Sequence, residues 1–148
     1  MKDFVRFLKS YTQADSSLQQ KWAGAKSRKS RDEWERLCEL NDHAYFMVMF
    51  AQIEDLINTK FKKAVERSRQ GRSKFGRGMA LSVELDNLER VSFLNRVACL
   101  IDKGGATYRD IKELKGKRDD IAHGDTNVTG IVIATMAQKI KQLAGEFR

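Results

Sequence analysis

The sequence predicts an all-α protein, and three observations carry that expectation. Proline is absent from all 148 residues. Apolar residues recur at helical spacing along most of the chain, and no segment alternates apolar and polar residues as a half-buried strand does. Proline punctuates loops and strand edges, so its absence favours long helices joined by glycine and polar turns. With 41% apolar and 32% charged residues, the chain reads as a single globular domain over 1–148. N-terminal accessory helices occupy 1–29 and a helical core occupies 30–148.

Taken in order, Phe4, Phe7, Leu8 and Tyr11 mark a first amphipathic segment, and Leu18 with Trp22 a second short one. Ser27-Arg28-Lys29 reads as a polar break. Ser30 and Glu33 have capping-box spacing, which predicts a helix start before Trp34, Leu37 and Cys38. From Asn41 to Ile53 the pattern is apolar all round, the mark of a helix at the centre of a bundle, and it continues on one face through Leu56, Ile57 and Phe61. The stretch from Arg67 to Gly78 is rich in glycine and basic residues and reads as a loop. Leu85, Leu88, Val91, Leu94, Val97, Ala98 and Ile101 predict a helix ended by Gly104-Gly105. Thr107 is a cap candidate for a helix carrying Ile111, Leu114, Ile121 and Ala122 and stopping at Gly124. Val132, Ile133, Met136, Ile140 and Leu143 predict the last helix. Together these give a bundle of four to five helices with N-terminal extras.

The net charge of +8 favours a polyanionic partner such as RNA, DNA or acidic lipid. Most of it is concentrated. Lys60, Lys62, Lys63, Arg67, Arg69, Arg72, Lys74 and Arg77 face only one acid, Glu66, a local net of +7. A basic, glycine-containing segment with one aromatic, Phe75, suits phosphate contact and base stacking, which makes Lys62, Lys63, Arg67, Arg69, Arg72, Lys74 and Arg77 candidates for RNA binding. A solvated charge run explains the composition equally well. Lys26, Arg28, Lys29 and Arg31 form a weaker cluster. The N-terminal residues interrupt their apolar pattern with Lys2, Asp3 and Arg6, and the longest apolar run, Ala44 to Ala51, is too short to span a bilayer. A cytoplasmic protein without a membrane segment is expected. Cys38 and Cys99 lack metal or redox spacing and read as buried free thiols, and no metal or other cofactor is expected.

The chemistry concentrates in Lys115-Gly116-Lys117-Arg118-Asp119-Asp120-Ile121-Ala122-His123-Gly124. On a helix, Ile111, Leu114, Arg118, Ile121 and Ala122 share one stripe, so Arg118 stands where an apolar residue is expected. A guanidinium there either snorkels outwards or meets an anion, a carboxylate or a phosphate. His123 precedes a glycine suited to ending the helix, where the macrodipole favours a charged imidazole. Histidine is also the side chain that exchanges its proton near neutral pH. Asp119, one turn earlier, is placed to orient the ring, and a helix-capping histidine without chemistry is the alternative. Glu54, with Asn58 one turn on, is a candidate to pair with Arg118 or His123 across the bundle. His43, at the mouth of the apolar helix, reads as structural.

Arg118, a polar Asp119, three further residues and then His123-Gly124 resemble the arginine-to-histidine motif of the HEPN superfamily. The Ile-Ala-His-Gly ending is most similar to its bacterial ribonuclease branches. The resemblance covers about ten residues, with a long apolar helix before and one helix after, and does not extend to residues 1–30. It implies a HEPN-like helical bundle and a metal-independent endoribonuclease whose motifs, from the two protomers of a homodimer, meet around RNA. It also implies a toxin or phage-defence role with an antitoxin or defence-system partner. Arg118 and His123 carry the catalysis in that reading, with Asp119 and Glu54 in support. The chain departs from the toxins paired with a nucleotidyltransferase antitoxin, which have a modified tyrosine two positions after the histidine, where Asp125 stands here. Against the enzyme stands a non-catalytic helical module that binds nucleic acid or a protein.

Overall fold

The computed structural model describes residues 3–125 and 127–147, and Met1, Lys2, Thr126 and Arg148 lie outside the described residues. All regular structure among them is helical: α1 (Phe4–Ala23), α2 (Arg28–Arg69), α3 (Lys74–Leu81), a 3₁₀ turn (Leu88–Arg90), α4 (Phe93–Ala98), α5 (Ala106–Ala122) and α6 (Ile133–Glu146). None of these helices is long and apolar enough to cross a membrane.

The dominant element is α2, whose 42 residues contain no glycine or proline. At 1.5 Å per residue it runs about 63 Å. Its start corrects the expected break: Ser27, not Ser30, is the N-cap, its Oγ accepting from the Ser30 N–H at 3.1 Å. Arg28 and Lys29 are good helix formers and simply join the first turn. The two expected N-terminal segments are likewise one continuous helix, α1.

Phe46, Met49, Phe50, Ile53 and Ile57 form one buried face of α2. They pack with Ile111 and Leu114 of α5, with Ile133, Met136, Ile140 and Leu143 of α6, and with Phe93 and Val97 of α4. The segment that reads as apolar all round is therefore buried on one side, while Ala44, Val48 and Ala51 are exposed. A smaller cluster of Phe61, Val65 and Ala80 joins the far end of α2 to α3.

Four further expectations are corrected. The segment Arg67 to Gly78 is not a loop: α2 continues to Arg69, and Ser73 caps α3 by accepting from the Gly76 N–H at 3.1 Å. The helix expected over 85–101 is reduced to the 3₁₀ turn and α4, where Ser92 accepts from the Asn95 N–H. Buried Arg96 braces this irregular stretch by donating to the Leu88 carbonyl at 3.1 Å. At the start of α5 the N-cap is Gly105, without a side-chain cap, so Thr107 falls inside the helix. The cysteines are less buried than expected, with Cys99 exposed and Cys38 intermediate.

Helix α1 lies along one flank of α2. Tyr11 donates to Asp42 at 2.8 Å and meets the Tyr45 ring edge-on at 5.3 Å. Burial, and then the Asp42 hydrogen bond and charge, push the Tyr11 phenol well above its usual value. Because the folded value exceeds the unfolded one, this stabilisation is complete below pH about 10 and is lost as the pH rises beyond it. Tyr11→Phe is expected to cost about 1 kcal/mol at pH 7 and to flatten the alkaline loss, as read by denaturant unfolding at pH 7 and above pH about 10.

Candidate functional site

The terminus of α5 is built from local rules. The His123 N–H donates to the Asp119 carbonyl at 2.9 Å, and Gly124 takes φ +86°, a left-handed conformation that suits glycine and ends the helix. The His123 side chain is exposed there. Beyond it the chain returns to α2, where buried His43 Nε2 lies 3.0 Å from the Val128 carbonyl. His43 therefore ties this loop down, as a structural histidine would.

On the stripe of α5, Ile111 and Leu114 are fully buried, Ile121 packs on the core, and Ala122 is exposed. Arg118 meets anions within its own chain. Nη2 donates to Glu54 Oε2 at 3.1 Å and Oε1 at 3.3 Å, and Nη1 donates to Asp119 Oδ1 at 3.0 Å. The guanidinium lies over the Phe50 ring, with Cζ 5.6 Å from its centroid. The structure thus makes the contact between Glu54 and Arg118 that the sequence suggested. It reassigns Asp119, whose carboxylate is taken by Arg118 and by Lys115; no hydrogen bond joins it to His123.

Lys115 and Phe50 were missed as members of this cluster. Lys115 was legible in its spacing of one turn from Asp119, an ion-pair separation on a helix. Phe50 shares a side of α2 with Glu54 at the same spacing, but its pattern says only that it belongs to the core. Two cations, Arg118 and Lys115, and two carboxylates, Glu54 and Asp119, balance one another. A guanidinium has five N–H donors, so a phosphate can be bound without displacing both carboxylates.

Glu54 and Arg118 are each about one quarter exposed, at 25% and 29%, so their pairing is not a fully solvated surface contact. Glu54→Ala is expected to cost about 1–2 kcal/mol and Glu54→Gln less, as measured by urea denaturation. Equal stability of both variants and the wild type would contradict a structural role for this pair.

The basic segment divides into two groups. Arg69 donates to the Ala80 carbonyl at 3.2 Å and the Val83 carbonyl at 2.6 Å, and Arg77 donates to the Gly71 carbonyl at 2.5 Å. These two arginines brace the turn that folds α3 back on α2. Lys62, Lys63, Arg67, Arg72 and Lys74 are exposed, as is Phe75 on the outer side of α3. Lys60, Lys63, Glu66, Arg67 and Gln70 line an open depression of about 440 Å³. No family model, curated protein or solved structure matches the chain.

Proposed function

We propose that the chain is a HEPN-type endoribonuclease that needs no metal, works as a cytoplasmic homodimer and serves as a toxin or phage-defence effector restrained by a partner protein. The supporting observation is the end of α5: Arg118 is anchored against Glu54, Asp119 and Phe50, and His123 stands exposed a turn and a half later. In this reading one His123 takes the proton of a ribose 2′-hydroxyl. The 2′-oxygen bonds to the adjacent phosphorus, the bond to the 5′-oxygen breaks, and the partner's His123 protonates that leaving oxygen. Arg118 from each protomer stabilises the charge on the crowded phosphate. The products carry a 2′,3′-cyclic phosphate and a 5′-hydroxyl, and DNA is inert because it lacks the nucleophile. Lys62, Lys63, Arg67, Arg72 and Lys74 hold the RNA backbone.

A second reading, a non-catalytic nucleic-acid-binding or protein-interaction module, is favoured by the intrachain carboxylates that already neutralise Arg118. Incubating purified protein with labelled RNA and matched DNA in excess EDTA separates the two. Cleavage of RNA alone supports the enzyme. Salt-sensitive binding without cleavage, equal in the wild type and Arg118→Ala, selects the module.

A further inference from the structure

We infer that Asp119 is a displaceable cover on Arg118 and that Lys115 retains it when an RNA phosphate binds, which makes Lys115 a positioning residue of the site. Arg118 is held from two sides. Glu54 accepts from Nη2 with both carboxylate oxygens, at 3.1 and 3.3 Å, and Asp119 Oδ1 accepts from Nη1 at 3.0 Å. Lys115 Nζ donates to the other oxygen of Asp119, Oδ2. The charges of the four side chains cancel, so in this arrangement Arg118 has little net field with which to attract a phosphodiester.

The two carboxylates are not equivalent. Among the described residues the cation that meets Glu54 is Arg118 alone, and the Glu54 side chain is only 25% exposed. A phosphate that displaced Glu54 would leave a largely buried charge without a counter-ion, which is costly. Asp119 has a second cation. Lys115 lies four residues before it, the spacing at which helix side chains are neighbours, whereas Arg118 is adjacent in sequence and departs about 100° away round the helix.

Asp119 therefore leaves Arg118 by side-chain rotation, with its bond to Lys115 kept and the backbone of α5 unchanged. Nη1 is then open to a phosphate oxygen, while Glu54 still fixes Nη2 and the Phe50 ring still lies beneath the guanidinium. Arg118 exchanges one anion for another, and the affinity for RNA is set by competition between a carboxylate and a phosphate. This exchange deepens the ribonuclease proposal and rests on its reading of Arg118 as a phosphate ligand.

Fluorescence anisotropy with one labelled single-stranded RNA tests the exchange, in EDTA and in a His123→Ala background that keeps the RNA intact, with circular dichroism as the control for folding. Asp119→Asn keeps the shape of the side chain and removes its charge. It is expected to tighten binding about 10-fold more than Asp120→Asn, which removes the same charge from the next, exposed residue. Lys115→Met is expected to weaken binding about 10-fold more than Lys112→Met, which alters an exposed lysine of the same helix, and to lose that excess when combined with Asp119→Asn. Lys115→Arg keeps the wild-type affinity. Equal effects of Asp119→Asn and Asp120→Asn overturn the exchange. So does a Lys115→Met loss that is the same with and without Asp119→Asn, the mark of a lysine that itself touches RNA. If Lys115→Met does not fold, the comparison of Asp119→Asn with Asp120→Asn decides alone. Cleavage assayed with His123 intact separates the two claims. Tighter binding by Asp119→Asn with no cleavage by the wild type supports the exchange and refutes the ribonuclease. Cleavage by the wild type with equal affinities of Asp119→Asn and Asp120→Asn supports the ribonuclease and refutes the exchange, and RNA bound by none of the proteins overturns both.

Discussion

His123→Ala is expected to lower RNA cleavage by about 10²–10⁴-fold, the range for losing a general acid or base, with stability within about 0.5 kcal/mol of the wild type. The separation of effects follows from where His123 stands. Its backbone completes the end of α5 through the bond to the Asp119 carbonyl, which alanine retains, while its side chain is exposed. Arg118→Ala is a less clean probe, because it strips Glu54 and Asp119 of their shared cation. A His123→Ala protein that unfolds with the wild-type midpoint but has lost cleavage is the diagnostic result. Retained cleavage would move the chemistry elsewhere.

Phe50→Ala is expected to remove about 3–5 kcal/mol of folding stability, the largest effect of any single change considered. Phe50 is 1% exposed and packs against Phe46 and Phe93, with ring centroids 6.3 and 5.6 Å away. Its outer face is covered by Arg118. Truncation therefore opens a cavity at the centre of α2 and also removes the platform of the guanidinium, a contact worth about 0.5–2 kcal/mol. A loss of this size is a large share of the 5–15 kcal/mol typical of a domain. Phe50→Leu, which fills much of the space, should cost less than Phe50→Ala and still leave Arg118 without an aromatic partner. Guanidinium unfolding of both variants provides the comparison, and a Phe50→Ala cost below that of Phe50→Leu would contradict the packing described.

Helical character and the central role of α2 were legible because periodicity survives any folding context. Arg118 was legible as an anomaly on an apolar stripe, and Glu54 as a carboxylate on the facing helix. The misreadings have physical causes. Ser27-Arg28-Lys29 looks like a break by polarity, but nothing in it stops a helix. Gly76 and Gly78 argue against α3 by propensity, yet the Ser73 cap and the burial of Ala80 outweigh them. Leu85, Leu88 and Val91 have helical spacing, but they pack on the smaller cluster from irregular backbone, where Asp86 and Asn87 favour turns. The division of labour among the arginines was hidden for another reason. Arg69 and Arg77 are bracing residues only because α3 returns to α2, which is a tertiary fact.

The central claim is that Arg118 and His123 form an RNA-cleaving site, and mass spectrometry of product ends tests it most directly. The wild type and His123→Ala are each incubated with one defined RNA in excess EDTA, with enzyme above substrate. The account predicts fragments ending in 2′,3′-cyclic phosphate from the wild type and intact RNA from His123→Ala. Identical fragments from both proteins, or uncut RNA from both, would contradict it.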